Sequence, residues 1–508
     1  MPLVRIVAWT LLVVLAVAAP AAAAPEGQMT WGVHISLAPT WFDPAETQGL
    51  ITPFLVLYAI HDAMAKAMPG NTVAPSLAES WQVSADGRVY EFTLRKGVKF
   101  HNGDPLTSED VKFSFDRYKG AQAKALKDRV AAVETPDPLH VRFRLKNPWP
   151  DFMTFYTAAS GAGWIVPKKY VEKVGDDGFK KAPIGAGPYK FVSFSPGVEL
   201  VMEAFEGYWR KTPSVKRLVF KVIGDEATRL AALKRGEIDV VYSIRGELAE
   251  ELQKTPGLTL KPTVIQSPQW VSMLDQWDPK SPWHDRRVRL AANLAIDRKA
   301  INDAIALGHS RLTYSIIPST FDYYWQPPAY AFDPAGAKRL LAEAGFAGGF
   351  DAGEYFCDMT SADAAEAMIG YLQGVGIRAK LRPLERAAFN KSIAERKLKN
   401  LVQIIGGSFG NAATRLEAYA VSGGQFAYGG YPDVDGLFRE QAGELDRAKR
   451  AAMLQRVQQL VADKAMVAPM YELAFVNGVG RRVDEPGLGL IAGYAFSAPY
   501  EDLKLKTK

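Results

Sequence analysis

Residues 89–103 read VYEFTLRKGVKFHNG, and the first part of this stretch decides how the neighbouring chain folds. Tyr90, Phe92 and Leu94 alternate with polar side chains, which is the period of a strand with one buried face. We therefore predict a strand over residues 89–96 whose apolar side chains lie in a core. The glycines that follow it are expected at turns.

Outward from this stretch, strands and helices alternate. Residues 141–146 repeat the strand pattern, and between the two strands Thr107 precedes a helical run with Asp110 in its first turn. Asp225 and Gly236 are expected to cap the two ends of another helix. In a chain of 508 residues, this alternation indicates a mixed α/β protein with two or three domains.

The composition is that of a globular protein. Hydrophobic residues make up 48% of the chain and charged residues 23%, which excludes a fibrous or intrinsically disordered chain. The 61 basic and 55 acidic residues give a net charge of +6 that is spread along the sequence, so nucleic acid is not an expected partner. A single cysteine, Cys357, excludes an intramolecular disulfide and a cysteine-rich zinc site, and no cofactor is expected.

Residues 1–24 have the pattern of a cleaved signal peptide. Arg5 precedes an apolar run over residues 6–19, which is shorter than the ~18 residues that a membrane-spanning helix needs, and small residues up to Ala24 form the expected cleavage site. An uncleaved membrane anchor is the alternative. Because no cysteine lies there to accept a lipid, we predict a protein that is exported to the periplasm and is not a lipoprotein.

Motifs for catalysis are incomplete in this sequence. None of the six histidines has the spacing of a helical zinc site, and the Gly-Lys pair of a phosphate-binding P-loop does not occur. Residues 406–410 read GGSFG and fit the nucleophile elbow of α/β-hydrolases, which leaves a secreted serine hydrolase using Ser408 as an alternative. Every histidine precedes Ser408, whereas that fold places its general base after the serine. We therefore predict that the chain is not an enzyme.

Short motifs recur along nearly the whole mature chain. They are residues 42–44 (FDP), 77–81 (LAESW), 86–87 (DG), 90–103, 109–111 (EDV), 183–189 (PIGAGPY), 229–239, 285–289, 295–298 (AIDR), 342–345 (AEAG) and 497–502 (SAPYED). Together they resemble the signature of the family 5 solute-binding proteins, which are the extracytoplasmic receptors of peptide- and nickel-type ABC importers.

This resemblance implies a bilobal α/β fold of the periplasmic-binding-protein type, with mixed sheets in two lobes that are joined by a two-segment hinge. The implied large lobe comprises residues 25–266, with an inserted subdomain at about 50–180, and is completed by the tail 473–508. The second lobe spans residues 267–472. A small organic solute, peptide-like or other, would bind in the cleft of this monomer, which would deliver it to a permease and ATPase complex in the inner membrane. A sensory or chaperone module on the same fold is a further alternative.

The contacts to the ligand are expected from position in the family and from residue chemistry. Residues 406–414 carry neither the tryptophan nor the acid that meets a peptide's ammonium group in peptide-binding relatives. Opine-like acids and metal chelates therefore stay open beside modified peptides. A ligand cleft needs a few polar groups among apolar walls. We expect this cleft to be lined by Trp41, Thr47, Trp270, Arg386, Phe409, Asn411, Arg415 and Glu417.

A basic strand adds a hypothesis about the charge of the ligand. Arg378, Lys380 and Arg382 alternate with apolar residues and so share one strand face, and Arg386 follows where relatives often have an aromatic residue. If this face met the cleft, it would favour a carboxylate or phosphate, because arginine binds such groups with two hydrogen bonds. The alternative is a solvated edge strand that is protected by its charges.

Overall fold

The computed structural model describes residues 24–47, 54–120, 122–407, 409–494 and 499–507, without the side chains of residues 386, 387, 390 and 394. The predicted signal peptide up to residue 23 and Ser408 lie outside this part of the chain. The strands within it are β1 Glu26–Val33, β2 Asp62–Ala63, β3 Ala65–Met68, β4 Asn71–Pro75, β5 Ala78–Val83, β6 Val89–Leu94, β7 Val130–Asp137, β8 His140–Leu145, β9 Trp164–Ile165, β10 Tyr189–Ser195, β11 Glu199–Ala204, β12 Val215–Val222, β13 Val240–Val241, β14 Thr259–Met273, β15 Arg311–Leu312, β16 Phe350–Asp358, β17 Ile377–Leu384, β18 Leu401–Ile405, β19 Val467–Val479, β20 Val483–Glu485 and β21 Lys504–Leu505. The helices are α1 Phe54–Ile60, α2 Ser108–Arg117, α3 Ala123–Arg129, α4 Phe152–Phe155, α5 Lys168–Lys181, α6 Glu226–Arg235, α7 Gly246–Lys254, α8 Arg286–Ala295, α9 Arg298–Ala306, α10 Pro334–Glu343, α11 Ala362–Gly374, α12 Arg386–Ala394, α13 Ala412–Tyr419, α14 Pro432–Gln441 and α15 Arg447–Asp463.

Both strands predicted around the quoted stretch are confirmed, as β6 and β8. They pair antiparallel, with Phe92 opposite Val141 and Tyr90 opposite Phe143, and all four side chains are buried. Together with two neighbours they form a four-stranded sheet in the order β5-β6-β8-β7. The alternation in the sequence therefore identified the buried face of this sheet correctly.

The predicted helix ends are also confirmed. At the start of α2, the carboxylate of Asp110 accepts a hydrogen bond from the backbone N–H of Thr107 at 2.9 Å. At the start of α6, Asp225 accepts one from the backbone N–H of Thr228 at 2.8 Å. This helix ends at Gly236, whose φ of 74° lies in the left-handed region that glycine adopts without steric cost.

A second, mixed sheet of the described chain extends across the molecule. Its strands follow the order β10-β11-β12-β1-β13-β19-β14-β18-β16-β17, with β15 paired to β19. Strand β1 pairs parallel with β12 and β13, whereas the two long strands β14 and β19 pair antiparallel. We call the chain before the middle of β14 and after the middle of β19 the first lobe, and the chain between these points the second lobe.

Each lobe encloses hydrophobic cores of its own. In the first lobe, Trp31 and Leu57 pack with Tyr500, so the C-terminal tail returns to this lobe, and a separate cluster around Phe92 lies on the four-stranded sheet. In the second lobe, one core is built around Tyr355. Among the residues that the structure describes, no helix is both long enough and apolar enough to cross a bilayer.

His61 is a fully buried histidine of the first lobe that stays neutral. Its Nε2–H donates to the carbonyl of Phe42 at 2.9 Å, and burial lowers its pKa from 6.5 to about 4. The unfolded chain takes up the proton near pH 6.5 and the folded chain near pH 4, so stability is lost as the pH falls through this window. We expect His61 to lower the free energy of unfolding by about 3 kcal/mol across it, as measured by urea unfolding at several pH values.

The variant His61→Gln isolates this titration, since glutamine can still donate to Phe42 but binds no proton. Its unfolding free energy should depend less steeply on pH than that of the wild type, by up to about one proton. His140→Gln, at a partly exposed histidine beside Asp137, is the control for losing a histidine at the surface. The prediction is wrong if wild type and His61→Gln lose stability in parallel on acidification.

Candidate functional site

Strands β14 and β19 lie side by side, and each of them carries the chain from one lobe to the other. They pair regularly over residues 259–264 of β14 in the first lobe and over residues 270–272 in the second. Between these stretches the register shifts on both sides of Pro268, which has no N–H to donate to the sheet. Bending at this point therefore disturbs few backbone hydrogen bonds, which is the property of a hinge.

Gln266 links the two lobes at the middle of β14. Its backbone N–H donates to the carbonyl of Gly493 in the first lobe at 3.0 Å, and its Nε2 donates to the hydroxyl of Thr320 in the second lobe at 3.0 Å. A side chain at Gly493 would collide with Gln266, so glycine allows this close approach. Polar contacts of Gln266 thus connect the two lobes at the hinge.

The lobes also contact each other through an ion pair. Asp151, just before α4 of the first lobe, receives hydrogen bonds from Arg450 of α15 at 2.9 and 2.6 Å. Asn411, just before α13, donates to the same carboxylate at 2.6 Å and to the hydroxyl of Thr154 at 3.2 Å. We call Asp151, Asn411 and Arg450 the latch. Because these residues come from different lobes, the cleft is closed where they meet.

The latch is shielded from water and fully hydrogen-bonded. The side chains of Arg450 and Asp151 are 2% and 13% exposed, so their attraction is screened less than that of a surface ion pair. Burial alone would lower the pKa of Arg450, but the hydrogen bonds and charge of Asp151 raise it above its ordinary value. Gln441 accepts from the Nε of Arg450 at 3.0 Å. Opening the cleft must therefore break a satisfied charge pair.

A cavity of about 260 Å³ lies between the lobes beside the latch. Arg129 and Trp149 line it from the first lobe, with the guanidinium 4.7 Å above the indole ring, and Glu417 and Phe438 line it from the second. Burial raises the pKa of Glu417 above its ordinary value, and the charge of Arg129 opposes that shift. Aromatic faces combined with charges of both signs suit a polar organic group better than a purely apolar one.

Four of the predicted contacts lie together on the segment after β18. Phe409 meets Phe155 of the first lobe edge to face, with the ring centroids 5.5 Å apart. Asn411 belongs to the latch, Glu417 lines the cavity, and Arg415 is 4% exposed on the inner side of α13. This segment of the second lobe therefore supplies much of the interlobe contact.

Three of the other predicted contacts are held within their own lobe. Trp41 packs from a short turn against the first-lobe core, and the hydroxyl of Thr47 donates to the carbonyl of Asp43 at 3.1 Å. Trp270 is fully buried in a second-lobe core. Arg386 begins α12, and its side chain is outside the described part of the structure.

The basic strand lies at the edge of the large sheet. Arg378, Lys380 and Arg382 are all exposed on β17, which ends the strand order. Arg382 pairs with Glu354 of the neighbouring strand at 2.6 Å. This placement fits the solvated edge strand rather than an anion site. Within the described ranges, no group of three or more His, Cys, Asp or Glu side chains could hold a metal ion.

Sequence reasoning missed Asp151 and Arg450, although each leaves a weak signal. The two residues are 299 positions apart and belong to no shared motif. Asp151 has the position of a helix N-cap, yet its side chain makes no capping hydrogen bond. Arg450 lies on the apolar stripe of α15 with Leu454 and Val457, where a charge needs a partner.

Two lobes, a pair of crossing strands and a cavity between the lobes define a bilobal binding protein, the class that closes around a solute by bending at a hinge. Residues 72–427 match the family model for bacterial extracellular solute-binding proteins, family 5. The chain belongs to this family, and the membership expected from the sequence motifs is confirmed. The serine hydrolase alternative is not favoured.

Individual relatives agree with this assignment. Di/tripeptide-binding protein 2 of Pseudomonas aeruginosa is 30% identical over 364 residues, covering 66% of this chain and 67% of that protein. Heme-binding protein A of Haemophilus influenzae is 26% identical over 454 residues, covering 81% of each. The crystal structure of the ABC transporter substrate-binding protein CtaP from Listeria monocytogenes matches with a TM-score of 0.83 at 22% identity, covering 95% of this chain and 99% of that one. The predicted bilobal α/β fold is thereby confirmed.

Proposed function

We propose that this chain is exported to the periplasm as a monomeric receptor, captures a small organic solute in the interlobe cleft and delivers it to the permease and ATPase complex of an ABC importer. The main observation that supports this proposal is the latch. Because Asp151 lies on one lobe and Arg450 on the other, their contact forms only on closure. A permease that recognises the closed form can distinguish a loaded receptor from an empty one, since the solute shifts the population toward closure.

The division of the chain follows from the same proposal. The large lobe comprises residues 25–266 and 473–508 with an inserted subdomain at about 50–180, and the second lobe spans residues 267–472. The register shift beside Pro268 in β14 and the return of the tail to the first-lobe core support these boundaries.

The solute contacts are proposed from the interlobe surface. Phe409 provides an aromatic face where it meets Phe155 of the other lobe, Glu417 provides a partly desolvated acid that lines the cavity, and Asn411 completes the latch. Trp270 supports the wall from behind, within the second-lobe core. The names of the relatives include peptide and heme binding, so a peptide-like or another small organic solute is the class to test first.

Solute screening with the purified exported protein tests the function. A compound at 100 times its Kd should stabilise the protein by about 2.7 kcal/mol in thermal unfolding. Small-angle scattering should show contraction on binding, because the solute favours the closed form. Mass spectrometry should recover the compound unchanged, because we propose that the chain is not an enzyme. Turnover that Ser408→Ala abolishes would instead establish the hydrolase.

A further inference from the structure

Arg415 of α13 is a buried cation with few hydrogen-bond acceptors. Four other arginines of the described chain are buried to a similar degree, and each donates to at least three acceptor atoms: Arg229, Arg289, Arg298 and Arg450. Arg415 is 4% exposed, and among the described residues it makes one hydrogen bond, from Nη2 to the carbonyl of Gly407. No carboxylate of the described chain pairs with it.

The surroundings of Arg415 connect it to the hinge. Its guanidinium lies between the rings of Phe321 and Tyr419, 5.6 Å from each centroid. A side chain at Gly406 would collide with Nη1, and the backbone N–H of Gly406 donates to the carbonyl of Pro268 in β14 at 2.9 Å. A side chain at Gly407 would meet no described atom within 4 Å. The cation is therefore held next to the crossing strands through Gly406, and Gly407 is its single hydrogen-bond acceptor among the described residues.

A buried guanidinium with a single acceptor lowers the stability of the folded protein unless a further partner binds to it. Burial lowers the pKa of Arg415 from its ordinary value, and the nearby Tyr419 opposes that shift. A buried charge without a counter-charge is unfavourable by several kcal/mol. The two aromatic faces recover part of this cost but leave donors of the guanidinium without acceptors.

We propose, on the basis of the receptor function above, that the solute carries a carboxylate and that Arg415 binds it beside Gly407. A carboxylate supplies both the missing acceptors and one negative charge, which matches the single guanidinium. A phosphate monoester would bring a charge near −2 and require further donors. The anion site is thus assigned to the segment after β18 rather than to the basic strand β17.

Two substitutions test this assignment without any solute. Arg415→Met keeps the length of the side chain and removes the unpaired charge, so its unfolding temperature should equal or exceed that of the wild type. Arg289→Met is the matched control, because Arg289 is 2% exposed but donates to four acceptors. Its replacement should lower the unfolding temperature. If Arg415→Met were destabilised as much as Arg289→Met, Arg415 would be a structural residue and the inference wrong.

Affinity measurements with matched compounds provide the second test. The compounds are di- and tripeptides as free acids and as C-terminal amides, sugar acids beside their parent sugars, and sugar phosphates. Acids should bind the wild type at least about 30-fold more tightly than their neutral partners. Arg415→Met should lose this difference, and Arg415→Lys should keep part of it. Preference for phosphates, equal binding of neutral compounds, or acid binding unchanged in Arg415→Met would overturn the inference and leave the receptor function standing. A wild type that bound no compound in any arm would contradict both.

Discussion

Asp151→Ala is expected to weaken solute binding by about 100-fold or more, because closure then has to bury Arg450 without its counter-charge. Among the described residues, Gln441 would remain as a hydrogen-bond acceptor of this guanidinium and the ring of Tyr323 would remain 5.3 Å from it, but neither side chain supplies a full negative charge. Leaving one partner of a buried ion pair uncompensated costs about 3–5 kcal/mol, and each 1.4 kcal/mol is a factor of ten in affinity. The open form avoids this cost because water reaches Arg450. The substitution therefore shifts the population toward the open form.

The distance between the lobes measures this shift directly. Spin labels on cysteines introduced at Lys124 and Glu440 report it, because both positions are exposed and lie on different lobes. The native Cys357 is buried, and burial raises the pKa of its thiol to about 11, so it competes little for the label. Asp151→Ala should show the longer distance, and calorimetry should show the loss of affinity.

Two further variants separate the latch from general effects of charge. Asp116→Ala removes a half-exposed acid of the same lobe that pairs with Lys112, and it should change affinity by less than about 0.5 kcal/mol. The double variant Asp151→Leu with Arg450→Met should bind better than Asp151→Ala, because no unpaired charge is buried. If Asp151→Ala kept wild-type affinity and lobe distance, the latch would play no part in closure.

Elements with local signals were predictable from the sequence. The strand around Phe92 was found because its side-chain alternation is a property of consecutive residues. The capping role of Asp110 likewise depends on a residue three positions away. The chain path between the lobes came from the family resemblance instead, since no local pattern distinguishes a crossing strand from any other buried strand.

One segment of the candidate site was predictable and its partners in the other lobe were not, and the reason is geometric. Phe409, Asn411 and Glu417 lie on one short segment, so a single position in the family pointed to all of them. Their partners Asp151 and Phe155 come from the other lobe, more than 250 positions away, and are determined by how the lobes close. The composition of a segment cannot specify that closure. For tryptophans, too, residue type alone did not separate a ligand contact from a core residue.

Trp270→Ala is expected to lower the free energy of unfolding by about 3–5 kcal/mol, the usual cost of removing a large buried aromatic side chain. The indole is fully buried, lies edge to face with Tyr419 at 4.9 Å, and donates from Nε1 to the hydroxyl of Ser272 at 3.0 Å. Chemical denaturation measures the loss. Trp81→Ala, at a partly buried tryptophan of the first lobe, is the control and should lose less.

The variant Trp270→Phe distinguishes two roles of this side chain: packing behind the cleft surface of the second lobe, and direct contact with the solute. Phenylalanine retains most of the packing but cannot donate to Ser272, so stability should fall by about 1–2 kcal/mol while solute affinity stays close to that of the wild type. Trp270 also backs the wall at Gly406, where an added Cβ would lie 2.9 Å from its ring. The alanine variant should therefore also loosen the neighbouring Arg415. Unchanged stability together with a large loss of affinity in Trp270→Phe would instead make Trp270 a direct contact of the solute.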